Sequence, residues 1–207
     1  MASLREAQKE MTRRLLLDHG LELFVSKGYS ATTVDDIASA AGTTRVTFYA
    51  YFPSKVELMK ALVSERLNAA LGRVPSPEHG TTERDLVAVV QDGSRARIRA
   101  WLGATSQRWD DIRPYTTAAF EAAAVDPEIR ALVDEWMEEA TGDIEDGLQR
   151  ANRFDPGTRH FRSVIAITEL DYVARRWTPG QWGVEHDEML DVLTESWMGI
   201  VGAPERD

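Results

Sequence analysis

Between residues 4 and 72 a single proline, Pro53, interrupts the chain, and the apolar side chains there recur at helical spacing. Leu17, Leu21 and Phe24 follow the i, i+4, i+7 pattern of one helical face, with Leu16 and Gly20 beside them. Nothing alternates with period two for long enough to make a strand. The stretch Val74 to Gly80 holds two prolines and a glycine and is expected to be a linker, because helix cannot persist through it. The segments beyond it return to helical spacing, so the expected class is all-α. The longest runs without a charged residue are nine long, Val46 to Ser54 and Ser196 to Pro204. A bilayer span needs about 20 apolar residues, so no membrane partner is expected. With no cysteine there is no disulfide and no thiolate chemistry. Met1 to Glu10 mixes both charge signs and has no apolar stretch, which points to a cytoplasmic protein.

Local chemistry places the first helices. One runs from about Leu4 to Lys27 and stops at Gly28, where a left-handed residue is wanted. Thr33 caps a second helix, with Asp36 three positions on as in a capping box and Asp35 and Asp36 favoured at the positive end of the dipole. Val34, Ile37, Ala38 and Ala41 face inward, and Gly42 ends it. Thr43 or Thr44 caps a third helix through about Tyr51, stopped by Pro53. Ser54-Lys55-Val56-Glu57 is a capping box opening a fourth helix toward Gly72. Two short helices joined by a glycine turn and preceded by a longer one make a helix-turn-helix candidate. Ala38 is small where the helices cross, Gly42 supplies a positive φ, and Phe48 and Phe52 anchor the third helix.

Thr32-Thr33-Val34-Asp35-Asp36-Ile37-Ala38, Ala41-Gly42-Thr43-Thr44-Arg45-Val46-Thr47-Phe48-Tyr49-Ala50-Tyr51-Phe52 and Ser54-Lys55-Val56-Glu57-Leu58 together resemble the DNA-binding region of the TetR family of transcriptional regulators, as do Leu21-Glu22-Leu23-Phe24 and Lys27-Gly28-Tyr29 upstream. The resemblance covers roughly residues 13–62. It implies that Arg45 reads a base, its fork suiting guanine O6 and N7 in the major groove. It further implies that Thr44 and Val46 touch base edges or a thymine methyl, that Thr43 belongs to the same DNA-binding set, and that Thr33, Thr47, Tyr49, Tyr51 and Lys55 contact phosphates, the last from a helix N-terminus. The chain departs from the family pattern at Thr43, Val46 and Ala50, which bears on the operator sequence, and at His19 and Gly20, where small alanines are usual. Gly20 is expected to cost about 1 kcal/mol of helix stability relative to alanine.

Charge agrees with a division of labour. Residues 1–60 hold 8 basic and 7 acidic side chains, against 16 and 27 in the remainder, within a net charge of -10. The expected domains are therefore 1–53, a helix-turn-helix DNA-binding domain, and 54–207, a helical ligand-binding and dimerisation domain opened by a connecting helix over 54–72. Catalysis is not expected. No His-Glu-x-x-His, Gly-x-Ser-x-Gly or phosphate-binding glycine loop is present, and no histidine has Glu three residues before it. No cofactor or metal is implied. The alternative is an all-helical enzyme or small-molecule carrier with a structural N-terminal unit.

In the second domain, helices are expected over about 94–110, 114–124, 126–152, 158–177 and 185–201. Asp126-Pro127 starts one with proline at its first position, while Asp155-Pro156-Gly157 and Thr178-Pro179-Gly180 break the chain. The 158–177 segment has two apolar rows: Phe161, Ile165, Thr168 and Tyr172, and Ala166, Leu170, Val173 and Trp177. The resemblance implies a homodimer through the last two helices, with Ala166, Leu170, Val173, Trp177, Leu190, Leu193 and Trp197 at the interface. The alternative is that these faces pack inside one chain. Trp101, Trp109, Tyr115, Phe120, Trp136 and Tyr172 are candidates to line a pocket for an apolar or aromatic small-molecule effector, or else are core. The whole reading is a ligand-responsive repressor that binds a double-stranded DNA operator.

Overall fold

Three short helices in the first third of the chain start where a side chain satisfies a free backbone donor. In the computed structural model, which describes residues 4–76, 80–82, 84–180 and 182–204, α1 (Leu4–Lys27) ends at Gly28 with φ 85°. Thr33 caps α2 (Val34–Ala40) with both halves of the capping box made. Thr44 caps α3 (Arg45–Tyr51), and Ser54 caps α4 (Lys55–Ala61) through the Glu57 N–H. The Glu57 carboxylate is engaged by Lys60 at 2.8 Å, so Ser54 makes its half of the expected box alone. The helix then runs on through a π-helical segment, Leu62–Leu67, into α5 (Asn68–Leu71). Such a segment inserts a residue into the helical repeat.

The chain divides into two compact units. The first comprises Met1–Asn68 and Pro114–Asp134, so it reaches past residue 53 and takes in a second stretch of chain. Leu16, Leu17, Phe24, Ile37, Phe48 and Leu58 are among its fully buried side chains. Gly20 has a packing reason: a β-carbon there would stand 2.8 Å from Leu58 Cδ2, so α1 and α4 approach at this point. Hydrogen bonds reach the second stretch. The Tyr29 hydroxyl donates to Asp126 at 3.3 Å, and Lys60 Nζ to Glu128 at 3.2 Å.

The second unit comprises Ala69–Arg113 and Glu135–Asp207. Its elements include a three-residue antiparallel pair, β1 (Val74–Ser76) with β2 (Gly80–Thr82), and α6 (Arg84–Asp92) and α7 (Arg95–Ser106). The first turn of α8 (Trp109–Ala123), the larger part of α9 (Pro127–Arg150), α10 (Pro156–Arg176) and α11 (His186–Ile200) complete it. The expected linker is thus partly a short ladder; Pro77, Glu78 and His79 lie outside the described residues. Among the described residues these two strands are the only departure from an all-helical fold, and no helix is long and apolar enough to cross a membrane.

Three boundaries differ from the sequence expectation. Helix α6 was not anticipated, though Leu86, Val87, Val89 and Val90 are buried on it. Pro114 lies inside α8, its sixth residue, where the missing N–H removes one bond near the helix start. Pro156 and Gly157 form the first turn of α10 rather than a break, with Asp155 accepting from the Gly157 N–H at 2.8 Å. Proline is suited to that position because its own N–H would be unpaired there.

Gly147 lets α9 close on α6: a β-carbon would meet Val90 Cβ at 2.6 Å and the Val87 carbonyl at 2.8 Å. Arg153, after α9, donates to the carbonyls of Val90, Gln91, Asp92 and Val201. One guanidinium thereby satisfies the ends of α6 and α11, whose last carbonyls have no partner within their own helices.

Candidate nucleic-acid interface

The two short helices are set by their turn. Gly42 takes φ 66°, and the N–H groups of Ala41 and Thr43 close onto the carbonyls of Ile37 and Ala38 at 3.0 and 2.9 Å. Phe48 is fully buried, Phe52 nearly so, with ring centres 5.9 Å apart. Burying one face of α3 leaves Thr44, Arg45, Val46 and Tyr49 exposed on the other. Val46 is 81% exposed, an apolar tip of the kind that meets a thymine methyl. Thr43, Thr47 and Tyr51 are half-buried beside this face.

Hydrogen bonding reduces what several of these groups can offer. The Thr33 hydroxyl accepts from the Asp36 N–H at 3.1 Å and donates to its carboxylate at 2.8 Å, while the Thr33 N–H donates to the same carboxylate at 2.8 Å. That carboxylate also holds Lys27 at 2.6 Å, and the lysine, then the Thr33 donors, keep it ionised well below the usual carboxylate range. The Thr44 hydroxyl accepts from the Thr47 N–H at 3.2 Å and lies 3.0 Å from the Thr47 hydroxyl. Lys55 Nζ donates to the carbonyls of Tyr29 and Thr32 at 2.7 and 2.9 Å and sits 4.0 Å from the Tyr29 ring centre. Burial pushes its pKa down. Two of its three donors therefore lock the turn between α1 and α2.

Two residues that the sequence did not mark as functional join the site. Thr32, fully buried, donates to the carbonyls of Leu23 and Gly28 and so completes the turn that Lys55 grips. Asp35 accepts from Arg45 Nη1 at 3.0 Å, while Arg45 Nη2 donates to the Tyr49 hydroxyl at 3.3 Å. These partners, the hydroxyl first, push the guanidinium pKa up.

In the second unit, most of the row expected at the interface is covered within the chain itself. Ala166, Leu170, Trp177, Leu190, Leu193 and Trp197 are buried within the single chain and Val173 is half-buried. Side chains already covered have little surface left to give a partner. The exposed apolar side chains on these helices are Phe161, at 67%, with Ile165, Tyr172 and Val192. The pocket candidates also separate. Trp101 stacks on Trp197 at 5.4 Å, and Trp101 and Trp109 are buried. Trp136 is half-buried with the Arg73 guanidinium 5.8 Å from its ring centre. Tyr115 and Phe120 are half-buried in the first unit. Tyr172 stands on an exposed face of α10, with the Arg176 guanidinium 4.4 Å from its ring centre.

The family model described as bacterial regulatory proteins, tetR family, matches residues 16–62. The transcriptional repressor LfrR of Mycolicibacterium smegmatis is 34% identical over 208 residues, covering 98% of this chain and 97% of that protein. The chain belongs to the TetR family. It is a DNA-binding transcriptional regulator. The regulator SrpR of Pseudomonas putida is 41% identical over 66 residues, a match spanning 32% of this chain and 31% of that one. The fold is shared with a TetR-like regulator from Rhodococcus sp. RHA1, at a TM-score of 0.65 and 18% identity over 93% of this chain and 97% of the other.

Proposed function

We propose that this regulator is a homodimeric, cytoplasmic repressor that leaves its operator when a small molecule binds the second unit. The observation that carries the DNA side is the exposed face of α3, where Thr44, Arg45, Val46 and Tyr49 project from a helix whose opposite side is fixed by Phe48. Arg45 reads guanine there, Val46 touches a thymine methyl, and Thr33, Thr43, Thr47, Tyr51 and Lys55 lie along the flanking backbone. A two-fold dimer puts two such faces about 34–36 Å apart, one helical turn of DNA. The exposed row of Phe161, Ile165 and Tyr172, with Val192, supports the self-association. LfrR, named a repressor and similar along nearly its whole length, supports the sign of regulation.

For the effector, Trp101, Trp109 and Trp197 each bury an indole N–H, and Thr105 a hydroxyl, without a hydrogen-bond partner among the described residues. An unpaired buried donor costs about 1–3 kcal/mol. These groups support an aromatic effector that carries acceptor atoms. To release DNA it must bind the non-binding conformation more tightly than the other.

The test is selection of duplexes from a random pool, followed by titration across salt. A palindromic consensus, with log affinity falling linearly in log salt, is expected. Arg45→Ala is expected to lose about 1–3 kcal/mol of base preference at one position of each half-site. Binding that shows no sequence preference, or one half-site per bound dimer, sinks the reading, and transcription that rises with the protein bound makes it an activator.

A further inference from the structure

Arg45 is engaged before any DNA arrives, and by two different elements. Asp35, ten residues earlier on α2, takes Nη1 at 3.0 Å; Tyr49, one turn along α3, offers its hydroxyl to Nη2 at 3.3 Å, and the guanidinium carbon lies 5.5 Å from the Tyr49 ring centre. Arg45 and Asp35 are both well exposed, at 58% and 61% of their side chains. An exposed ion pair of this kind contributes little to stability, so the fold gives little reason for it. A carboxylate on the face turned toward a polyanion also weakens binding at every sequence. Its geometric effect is the informative part. A long arginine on an exposed helix samples many rotamers, and gripping both terminal nitrogens fixes the plane of the fork. Five N–H groups less two leaves three, enough for the two-point contact to guanine O6 and N7.

We propose that Asp35 is a positioning residue for base recognition: it holds the Arg45 fork in one orientation, lowering affinity for DNA of any sequence and raising the preference for guanine at the base pair Arg45 meets. This rests on the reading of Arg45 as the base contact. Asp35 itself need touch no base, and nothing in its local sequence marks it, since an acidic residue in the first turn of a helix is ordinary.

The experiment compares wild type with Asp35→Ala, Asp35→Asn, Tyr49→Phe and Arg45→Ala. Each is titrated against three duplexes: the one selected from the random pool, the same with adenine replacing the guanine whose preference Arg45→Ala abolishes, and a scrambled sequence. Asp35→Ala is expected to bind the scrambled duplex about threefold tighter while its guanine-to-adenine affinity ratio drops about fivefold or more. Asp35→Asn, which keeps an acceptor but no charge, should match the tighter scrambled binding and retain part of the ratio. Tyr49→Phe, which keeps the ring, should lose less of the ratio than Asp35→Ala. An unchanged ratio makes Asp35 a bystander that merely repels DNA, and a larger ratio makes it a competitor for the fork; either overturns the proposal. Weaker binding to all three duplexes, with a lowered melting temperature, makes its role structural and overturns it too. If Arg45→Ala alters preference at no position, the base-reading assignment fails first, and that arm shows it separately.

Discussion

Arg45 and Arg153 have the same side chain and opposite surroundings. Arg45 stands on an exposed helix face with one carboxylate and one hydroxyl as partners. Arg153 is half-buried, and its guanidinium is divided among four backbone carbonyls from two separate stretches of chain. Arg159 repeats the second pattern, donating to the carbonyls of Arg153 and Phe154 in the turn where Asn152 and Phe154 take positive φ. An arginine meant for an outside ligand keeps donors in reserve. One meant for the fold spends them on carbonyls that no helix satisfies.

The largest effect should come from breaking the second pattern. Arg153→Met, which keeps the stem, is expected to lose about 2–4 kcal/mol of unfolding free energy, because several carbonyls lose their donor at once. Chemical denaturation measures it. The matched change at the first site, Arg45→Ala, should leave stability within about 0.5 kcal/mol, as exposed substitutions usually do. Equal losses at both positions would erase the contrast.

Lys55 falls between the two arginines, and a variant there sharpens the comparison. Lys55→Met is expected to lose about 1–2 kcal/mol, since the carbonyls of Tyr29 and Thr32 lose a shared donor. Binding to DNA should also lose part of its salt dependence. A flattened salt slope with unchanged stability would return Lys55 to a purely phosphate-contacting role.

The smallest effect concerns Asp36. Its carboxylate is held low by Lys27 and by the Thr33 donors, so the ionised form is favoured more in the folded chain than in the unfolded one. That contribution is present above the unfolded pKa and fades as pH falls through the depressed folded value. Melting followed from pH 6 down to about 2 should drop less steeply for Asp36→Asn than for wild type, chiefly below about pH 4. Parallel curves would show that the cap carries no such linkage.

What could be seen in the sequence was chemistry that acts over three or four residues. Thr33 with Asp36, Thr44, Ser54 and the glycines at 28 and 42 announce their caps and turns because those bonds are local. The same rule would have placed Pro156 in the first turn of α10, as it placed Pro127 in α9. Helix α6 escaped notice because it follows a proline-rich stretch and carries its four buried side chains within a five-residue span, Leu86 to Val90. Lys55 reaching carbonyls 23 and 26 positions away, and Asp35 reaching Arg45, depend on how the helices cross. Periodicity likewise showed two apolar rows on α10 without saying which turns inward. The row with Ala166 and Leu170 is covered, and the one with Phe161 and Tyr172 is not.

The π-helical turn at Leu62–Leu67 gives the helix leaving α4 a spare residue. In a regular helix, losing one residue swings everything downstream through about 100° and exchanges covered faces for wet ones. Here a deletion has somewhere to go: shedding the surplus restores an ordinary repeat and leaves Leu71 and the chain after it in their original phase. The segment between Leu62 and Leu67 is thus the stretch of this helix that can lose one residue without rebuilding either end.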